Sequence, residues 1–466
     1  MRIESINPAT GEVIETFESF TDAQVDAALE AATNAQRSWR TTSFAERSRH
    51  LRAVATYLRD HKTELARTAT LEMGKPITES EAEIEKCAWN CDYYAEHAES
   101  MLADEPVASG ASESYVSFLP LGVVLAVMPW NFPYWQVFRF AAPALMAGNA
   151  AVLKHASNVT RVGLEIERIF RESGLPDGLF RTLIIPGREV GRVIADQRIA
   201  AVTLTGSDVA GESVAAAAGK ALKKTVLELG GSDAFIVLGD ADLDAAAQMA
   251  IRARFQNTGQ SCIAAKRFIA VRDVLDGFTG KFVEGTAALR VGDPLNHETQ
   301  IGPLARADLR DNLGQQVRRS VEMGARIAYG GKRIPGNGAF YEPTIVTDVR
   351  PGMPMFNEET FGPAAAVIVA RDDEEALALA NDSQYGLGGN IWTRDVARAR
   401  QLARRYETGN VFINGMTASD PRLPFGGVKR SGYGRELSGF GIREFTNIQT
   451  VWIGPASAPG GSSPRR

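Results

Sequence analysis

Gly122-Val123-Val124-Leu125-Ala126-Val127-Met128-Pro129-Trp130-Asn131-Phe132-Pro133 decides how this chain folds. Its first seven residues form a short apolar run of the kind buried on both faces of a parallel sheet. Pro129 and Pro133 then fix a turn, and residues 134–147 continue with helical periodicity. A strand that turns tightly into a helix is the first half of a βαβ unit.

The same alternation repeats outward from this stretch. Further strands are expected at 150–154, 180–185, 200–205 and 224–229, separated by helices at 161–173, 189–197 and 209–222. Five strands joined by right-handed helical crossovers predict an α/β, doubly wound, nucleotide-binding sheet. Upstream, residues 21–99 are mostly helical in period, with Asp22, Ser43 and Thr78 as helix starts, and read as a layer covering that sheet. Asn7-Pro8-Ala9-Thr10-Gly11-Glu12 marks a turn between two short strands. Downstream, a second α/β domain is expected to begin near Gly230, with strands at 233–238, 267–271, 325–329, 344–347, 365–370 and 411–414 and helices at 243–257 and 372–381 among others.

Bulk properties narrow the function classes. The chain has 466 residues, too many for one core, so two or three domains are expected. It is 44% hydrophobic and 23% charged, a globular balance, and its net charge of −5 offers no basic field for a phosphate backbone, so nucleic acid is not an expected partner. The longest apolar run, 123–128, is far short of the roughly 20 residues that span a bilayer, so no membrane association is expected. The polar N-terminus does not read as a signal peptide, and only three cysteines occur, Cys87, Cys91 and Cys262. An odd, sparse set of thiols describes no disulfide framework and implies a reducing, cytoplasmic setting. Residues 457–466 are almost all Gly, Ser, Pro and Arg and read as a flexible tail.

The chemistry concentrates at the ends of predicted strands. Phe255-Gln256-Asn257-Thr258-Gly259-Gln260-Ser261-Cys262 ends a helix and leaves a thiol in the following loop, exposed and mobile enough to attack; a lone cysteine is more often a small buried hydrophobe, and only its company reverses that reading. Glu228 closes a strand ahead of Leu229-Gly230-Gly231-Ser232, where open α/β sheets bind ligands, and a carboxylate there can activate water or a thiol. Asn131, held between two prolines, can donate to an oxyanion, although alone it would more often cap a helix. Leu204-Thr205-Gly206-Ser207 lies between strand and helix, a natural phosphate site. The stretch 206–213 nearly matches a P-loop, but Glu212 stands at the lysine position and would repel a triphosphate.

These motifs, with Lys154, Glu358-Glu359-Thr360-Phe361-Gly362-Pro363 and Pro424-Phe425-Gly426-Gly427, occur in an order and at spacings that resemble the aldehyde dehydrogenase superfamily over nearly the whole chain. The resemblance implies a Rossmann-type cofactor domain (1–101 with 121–229), an α/β catalytic domain (230–443) and a small β extension for oligomerisation (102–120 with 444–456), assembled as a homodimer or a dimer of dimers. It implies Cys262 as nucleophile, Glu228 as general base, and Asn131 with the Cys262 backbone N–H as oxyanion hole. Glu359 and Phe361 would hold the nicotinamide side of the cofactor, and Trp130, Asn131, Lys154, Gly206, Ser207 and Leu229 would line the rest of its groove. Ser157 stands where NAD-preferring relatives often carry glutamate. Serine can hydrogen-bond a 2′-phosphate and Lys154 can neutralise it, so NADP is the expected cofactor, with NAD as the alternative.

Arg139, eight residues after Asn131, falls about two turns along the helix and near the same face. Its fork suits a carboxylate at the far end of a short aldehyde. With Ser419, this resembles succinate-semialdehyde dehydrogenases, although Gln256 stands where some of those enzymes place a second arginine. Succinic semialdehyde is therefore the expected substrate, another short aldehyde or semialdehyde the alternative. Cys87 and Cys91, four apart on a helix, read as core packing, and no metal is expected. A member that passes its acyl group to coenzyme A would not need Glu228 to activate water, and a non-catalytic member would not keep Cys262, Glu228 and Asn131 together.

Overall fold

A computed structural model describes residues 2–454, so the tail expected at 457–466 lies outside the described residues. Its first sheet has six strands in the order Gly432–Tyr433, Lys224–Glu228, Ile199–Thr205, Val123–Met128, Ala150–His155, Phe180–Thr182. The last five are parallel, and the short Gly432–Tyr433 strand pairs antiparallel with Lys224–Glu228. Counted from the Phe180–Thr182 edge, the parallel strands stand third, second, first, fourth, fifth in chain order. The order reverses between Val123–Met128 and Ile199–Thr205, and the loops leaving those two strands carry Trp130-Asn131 and Gly206-Ser207. That crevice is where doubly wound sheets bind ligands.

The second sheet has seven strands, ordered Arg326–Tyr329, Thr344–Thr347, Ala364–Ala370, Ala265–Val271, Asp233–Val237, Gly388–Trp392, Asn410–Ile413, parallel except at the Arg326–Tyr329 edge. Each sheet has its own core: Val124, Leu125, Val152 and Val202 are fully buried in the first, and Phe235, Ile236, Phe268 and Ile269 in the second. A third sheet of Thr446–Ile453, Glu113–Pro120 and Glu105–Pro106 is antiparallel, with Thr446 opposite Pro120 and Ile453 opposite Glu113. No described helix is long and apolar enough to cross a membrane.

Most expected elements lie within a few residues of those observed, and the differences have local causes. The helix expected from Thr78 is Ile77–Met101, entered from Pro76, because proline's fixed φ suits the start of a helix. The helix expected at 243–257 stops at Phe255, since Asn257, Thr258 and Gly259 take left-handed φ angles of 55°, 54° and 72°. The strand Gly388–Trp392 was not expected at all. It opens with two glycines, and a Cβ at Gly389 would sit 2.3 Å from the Tyr406 ring, so close approach rather than β-propensity selects that residue.

Candidate active site

The loop that carries Cys262 is held by buried cations. Arg254, fully buried, donates to the carbonyls of Gly259 at 2.8 Å and Ala265 at 2.9 Å, and also to Gly362. Lys266, also fully buried, donates to Ser261 at 2.7 Å and Cys262 at 2.6 Å. Gly259 could not carry a side chain: besides its positive φ, a Cβ would lie 2.3 Å from the Gly362 carbonyl. The loop is therefore fixed rather than mobile, a correction to the picture drawn from its glycine and polar residues. Charge-assisted bonds to carbonyls in a dry interior are strong and directional.

Asn131 is joined to the same loop. Its Nδ2 donates to the Gln260 carbonyl at 3.1 Å, while Asn257 Nδ2 bridges the carbonyls of Asn131 at 2.7 Å and Gln260 at 3.0 Å. One Asn131 amide hydrogen is thus committed to the loop and the other is left for a ligand. The Cys262 thiol is pushed up to about 12 by burial, against the opposing pull of Lys266 and Arg139, so it rests as the neutral SH.

Glu228 ends its strand buried, with neither carboxylate oxygen hydrogen-bonded among the described residues. Burial raises its pKa well above the usual carboxylate range, the nearby Glu436 raises it further, and Arg139 and Arg435 oppose. Glu436 is the residue that sequence reasoning missed here. It forms a buried ion pair with Arg139, whose Nη2 also donates to Thr205 Oγ1 at 3.3 Å and whose guanidinium stacks on Phe425 at 4.9 Å. The arginine expected to reach into a substrate tunnel does line it, but with an acid already bound.

The cavity is about 820 Å³ and is lined by Cys262, Arg139, Ser419, Met416 and Phe425 together with two helix faces. The helix Ile77–Met101 contributes Glu79, Ala82, Glu83 and Lys86, and the turn and helix around Trp135–Met146 contribute Phe132, Trp135, Gln136 and Arg139. Each set is spaced at positions zero, three, four and seven, one face of a helix. Glu83 locks the two helices together: its carboxylate accepts the N–H groups of Tyr134 at 2.9 Å and Trp135 at 2.8 Å, donors that a helix start leaves unsatisfied, and it pairs with buried Lys75.

On the other side of the nucleophile loop lies the expected cofactor groove. Glu359 accepts the Gly231 N–H at 2.9 Å and stands 3.5 Å from Lys266. Trp130 and Phe361 meet edge to face at 5.7 Å, and Leu229 packs so tightly on Gly211 that a Cβ there would lie 2.6 Å from its methyl groups. Ser207 caps the helix Asp208–Lys220 by accepting the Ala210 N–H at 3.3 Å, and Gly206 N donates to the Glu228 carbonyl at 3.0 Å. Lys154 is 8% exposed, and its pKa is lowered by burial, with no carboxylate among the described residues drawing it back up. Ser157 opens the short turn Ser157–Val159 just beyond the same strand.

Comparison with known proteins agrees with this layout. Residues 1–451 match the model of the aldehyde dehydrogenase family. The NADP(+) succinate-semialdehyde dehydrogenase of Mycolicibacterium paratuberculosis is 52% identical over 469 residues, covering 99% of both chains. A protein of the same description from Mycobacterium tuberculosis is 53% identical over 456 residues, 97% of this chain and 100% of that one. The crystal structure of succinic semialdehyde dehydrogenase from Streptococcus pyogenes with NADP+ superposes with a TM-score of 0.95 at 40% identity, covering 97% of this chain and 100% of the other. Matched from end to end, and sharing about half its residues with two of these proteins, the chain belongs to the aldehyde dehydrogenase family.

Proposed function

We propose that this chain oxidises succinic semialdehyde to succinate with NADP. The observation that carries the reading is that Cys262 and the cations Arg139 and Lys86 line one cavity, so an aldehyde held against the thiol has positive charge for a carboxylate at its other end. The mycobacterial and streptococcal relatives named above support the same substrate and cofactor.

The groove residues fit that cofactor. A buried lysine with no protein carboxylate against it is costly unless an anion completes it, and Lys154 stands at the strand end beside Ser157, where an adenosine 2′-phosphate would be held. Glu359 would bind the nicotinamide ribose, and Trp130 with Phe361 would wall the ring. When bound, the cofactor accepts the hydride that the substrate carbon must lose.

The residues of this chain would do the rest. Cys262 Sγ bonds to the carbonyl carbon, and its proton passes to Glu228 in the ionised form. The free Asn131 amide hydrogen and the Cys262 backbone N–H hold the resulting oxyanion. After hydride loss the acyl group remains on sulfur as a thioester. Once Glu228 has released that proton to solvent, it takes a proton from water, hydroxide adds to the thioester, the acyl C–Sγ bond breaks to release succinate, and the proton held by Glu228 restores the thiol. A carboxylate whose pKa burial raises above the ordinary range is a stronger base and suits such a step.

We further assign residues 1–101 with 121–229 to cofactor binding, 230–443 to catalysis, and the antiparallel ribbon to assembly of a homodimer or a dimer of dimers. The ribbon strand Thr446–Ile453 leaves Ile448 and Trp452 62% and 57% exposed, surface that a second copy would cover. The test of the whole reading is a panel of succinic semialdehyde, glutaric semialdehyde and butanal with NAD and NADP. The highest kcat/KM is expected for succinic semialdehyde with NADP. Equal values for butanal, or a clear preference for NAD, would remove the corresponding half of it.

A further inference from the structure

Asn257 supports the oxyanion hole from outside it. It is fully buried and left-handed, with φ 55°, and Thr258 beside it is left-handed too at 54°. Two such residues in succession, neither of them glycine, persist only where their surroundings hold them. Both hydrogens of the Asn257 amide are committed, one to the Asn131 carbonyl and one to that of Gln260, which Asn131 also reaches. The place of Asn131 therefore depends on the place of Asn257.

The neighbours of Asn257 are tied to residues 302–305: Gly302 N–H donates to Thr258 Oγ1 at 3.0 Å, and Ala305 N–H donates to Gln260 Oε1 at 2.9 Å. Asn257 is tied elsewhere. Its backbone N–H, beyond the end of the helix Leu243–Phe255, donates to Glu79 Oε2 at 2.6 Å, a residue 178 positions earlier in the chain. Glu79 stands in the first turn of the helix Ile77–Met101 and lines the cavity. One turn further on, Glu83 accepts the Tyr134 and Trp135 N–H groups. Two carboxylates on one face of one helix thus hold both sides of the oxyanion hole, Glu83 the helix start after Asn131 and Glu79 the loop before Cys262. An ionised acceptor makes each of these bonds shorter and stronger than a neutral one would.

We propose that Glu79 is a positioning residue of the oxyanion hole, acting through Asn257 to set where the free Asn131 amide hydrogen and the Cys262 N–H point. The proposal rests on the reading of those two groups as the donors to the oxyanion. Glu79 itself touches neither aldehyde nor cofactor and exchanges no proton in the reaction. Its effect is geometric, because donors stabilise a developing oxyanion only when they already stand about 3 Å from it.

The experiment measures single-turnover NADPH formation with succinic semialdehyde and with butanal, and iodoacetamide alkylation of Cys262, in the full-length wild type, Glu79→Met, Glu79→Asp, Glu79→Gln, Asn131→Ala and the double variant Glu79→Met/Asn131→Ala. Alkylation forms no oxyanion and reports the thiol alone. Glu79→Met is expected to slow NADPH formation by about 10- to 100-fold with both aldehydes, to leave alkylation close to the wild-type rate, and to add little to Asn131→Ala. Glu79→Gln, whose amide oxygen still accepts from Asn257, should recover most of the rate. Glu79→Asp, which keeps the charge but draws the oxygen back, should fall between, and it carries the test if the methionine variant does not fold. Parallel losses in NADPH formation and alkylation would make Glu79 a general support of the loop and overturn the proposal, as would a change confined to succinic semialdehyde or a loss that multiplies with that of Asn131→Ala. Unaltered NADPH formation in Glu79→Met, with Asn131→Ala slow, would overturn this assignment alone. An Asn131→Ala enzyme as fast as the wild type would overturn the oxyanion reading and this assignment with it.

Discussion

The Lys266 ammonium lies 2.6 Å from the carbonyl oxygen of Cys262 and 3.5 Å from Glu359 Oε1, so one buried cation joins the nucleophile to the acid assigned to the nicotinamide ribose. Lys266 is also the largest of the charges that draw the Cys262 thiol downward. Lys266→Met should therefore slow iodoacetamide alkylation of Cys262 at pH 8 by roughly tenfold, equivalent to about one pKa unit. In the wild type without ligands, with the thiol near 12, log rate should climb with unit slope past pH 10. A plateau below pH 9, or an unaltered rate in the variant, would contradict this arrangement.

Glu228→Gln should separate the two halves of the reaction. Its carboxyl holds its proton above the ordinary carboxylate range because it is buried beside Glu436, so base strength appears only as pH rises through that elevated value. Hydrolysis of the acyl-enzyme should increase with pH in the wild type, and the limb should vanish in the variant together with roughly 10²- to 10⁴-fold of the rate. Mass spectrometry of the quenched variant should find Cys262 carrying a succinyl group. Finding no adduct would mean that some other group activates the water.

Cofactor choice should turn on the strand end at Lys154. Lys154→Ala is expected to raise KM for NADP about 10- to 100-fold and KM for NAD much less, since only NADP offers the extra phosphate. Ser157→Glu should reverse the preference by repulsion. Equal effects on the two cofactors would place the 2′-phosphate elsewhere.

Assembly should depend on Ile448 and Trp452, which are four residues apart and so project from one face of their strand. Replacing both with serine should shift light-scattering mass towards the monomer, as apolar anchors at an interface centre are worth about 2 to 4 kcal/mol each. An unchanged mass would assign that surface another role.

The nucleotide-binding sheet was legible because its strands are apolar runs punctuated by turn residues: all five parallel strands lie where the alternation of residues 122–229 puts them. Gly388–Trp392 escaped because its glycines answer to neighbours brought up by the fold, Gly388 to Asp233 and Thr417 and Gly389 to Tyr406. The site divides in the same way. Cys262, Glu228 and Asn131 sit in short motifs at strand ends, where local pattern reports position. Glu79 and Asn257 are 178 residues apart, and Arg139 meets Glu436 only through the fold, so neither pairing leaves a trace in local spacing. Lys266 did leave one: a lysine–arginine pair inside the otherwise apolar strand Ala265–Val271.

The three cysteines have a practical corollary. Cys87 and Cys91 are wholly enclosed in the first core, whereas Cys262 is half-buried and lines the cavity. A maleimide dye added to the folded enzyme would mark one atom per chain, the reacting one, and three only after denaturation. The same solitude means that peroxide meets a sulfur without a resolving neighbour, so a sulfenic acid formed there proceeds to sulfinic acid unless an outside thiol intercepts it.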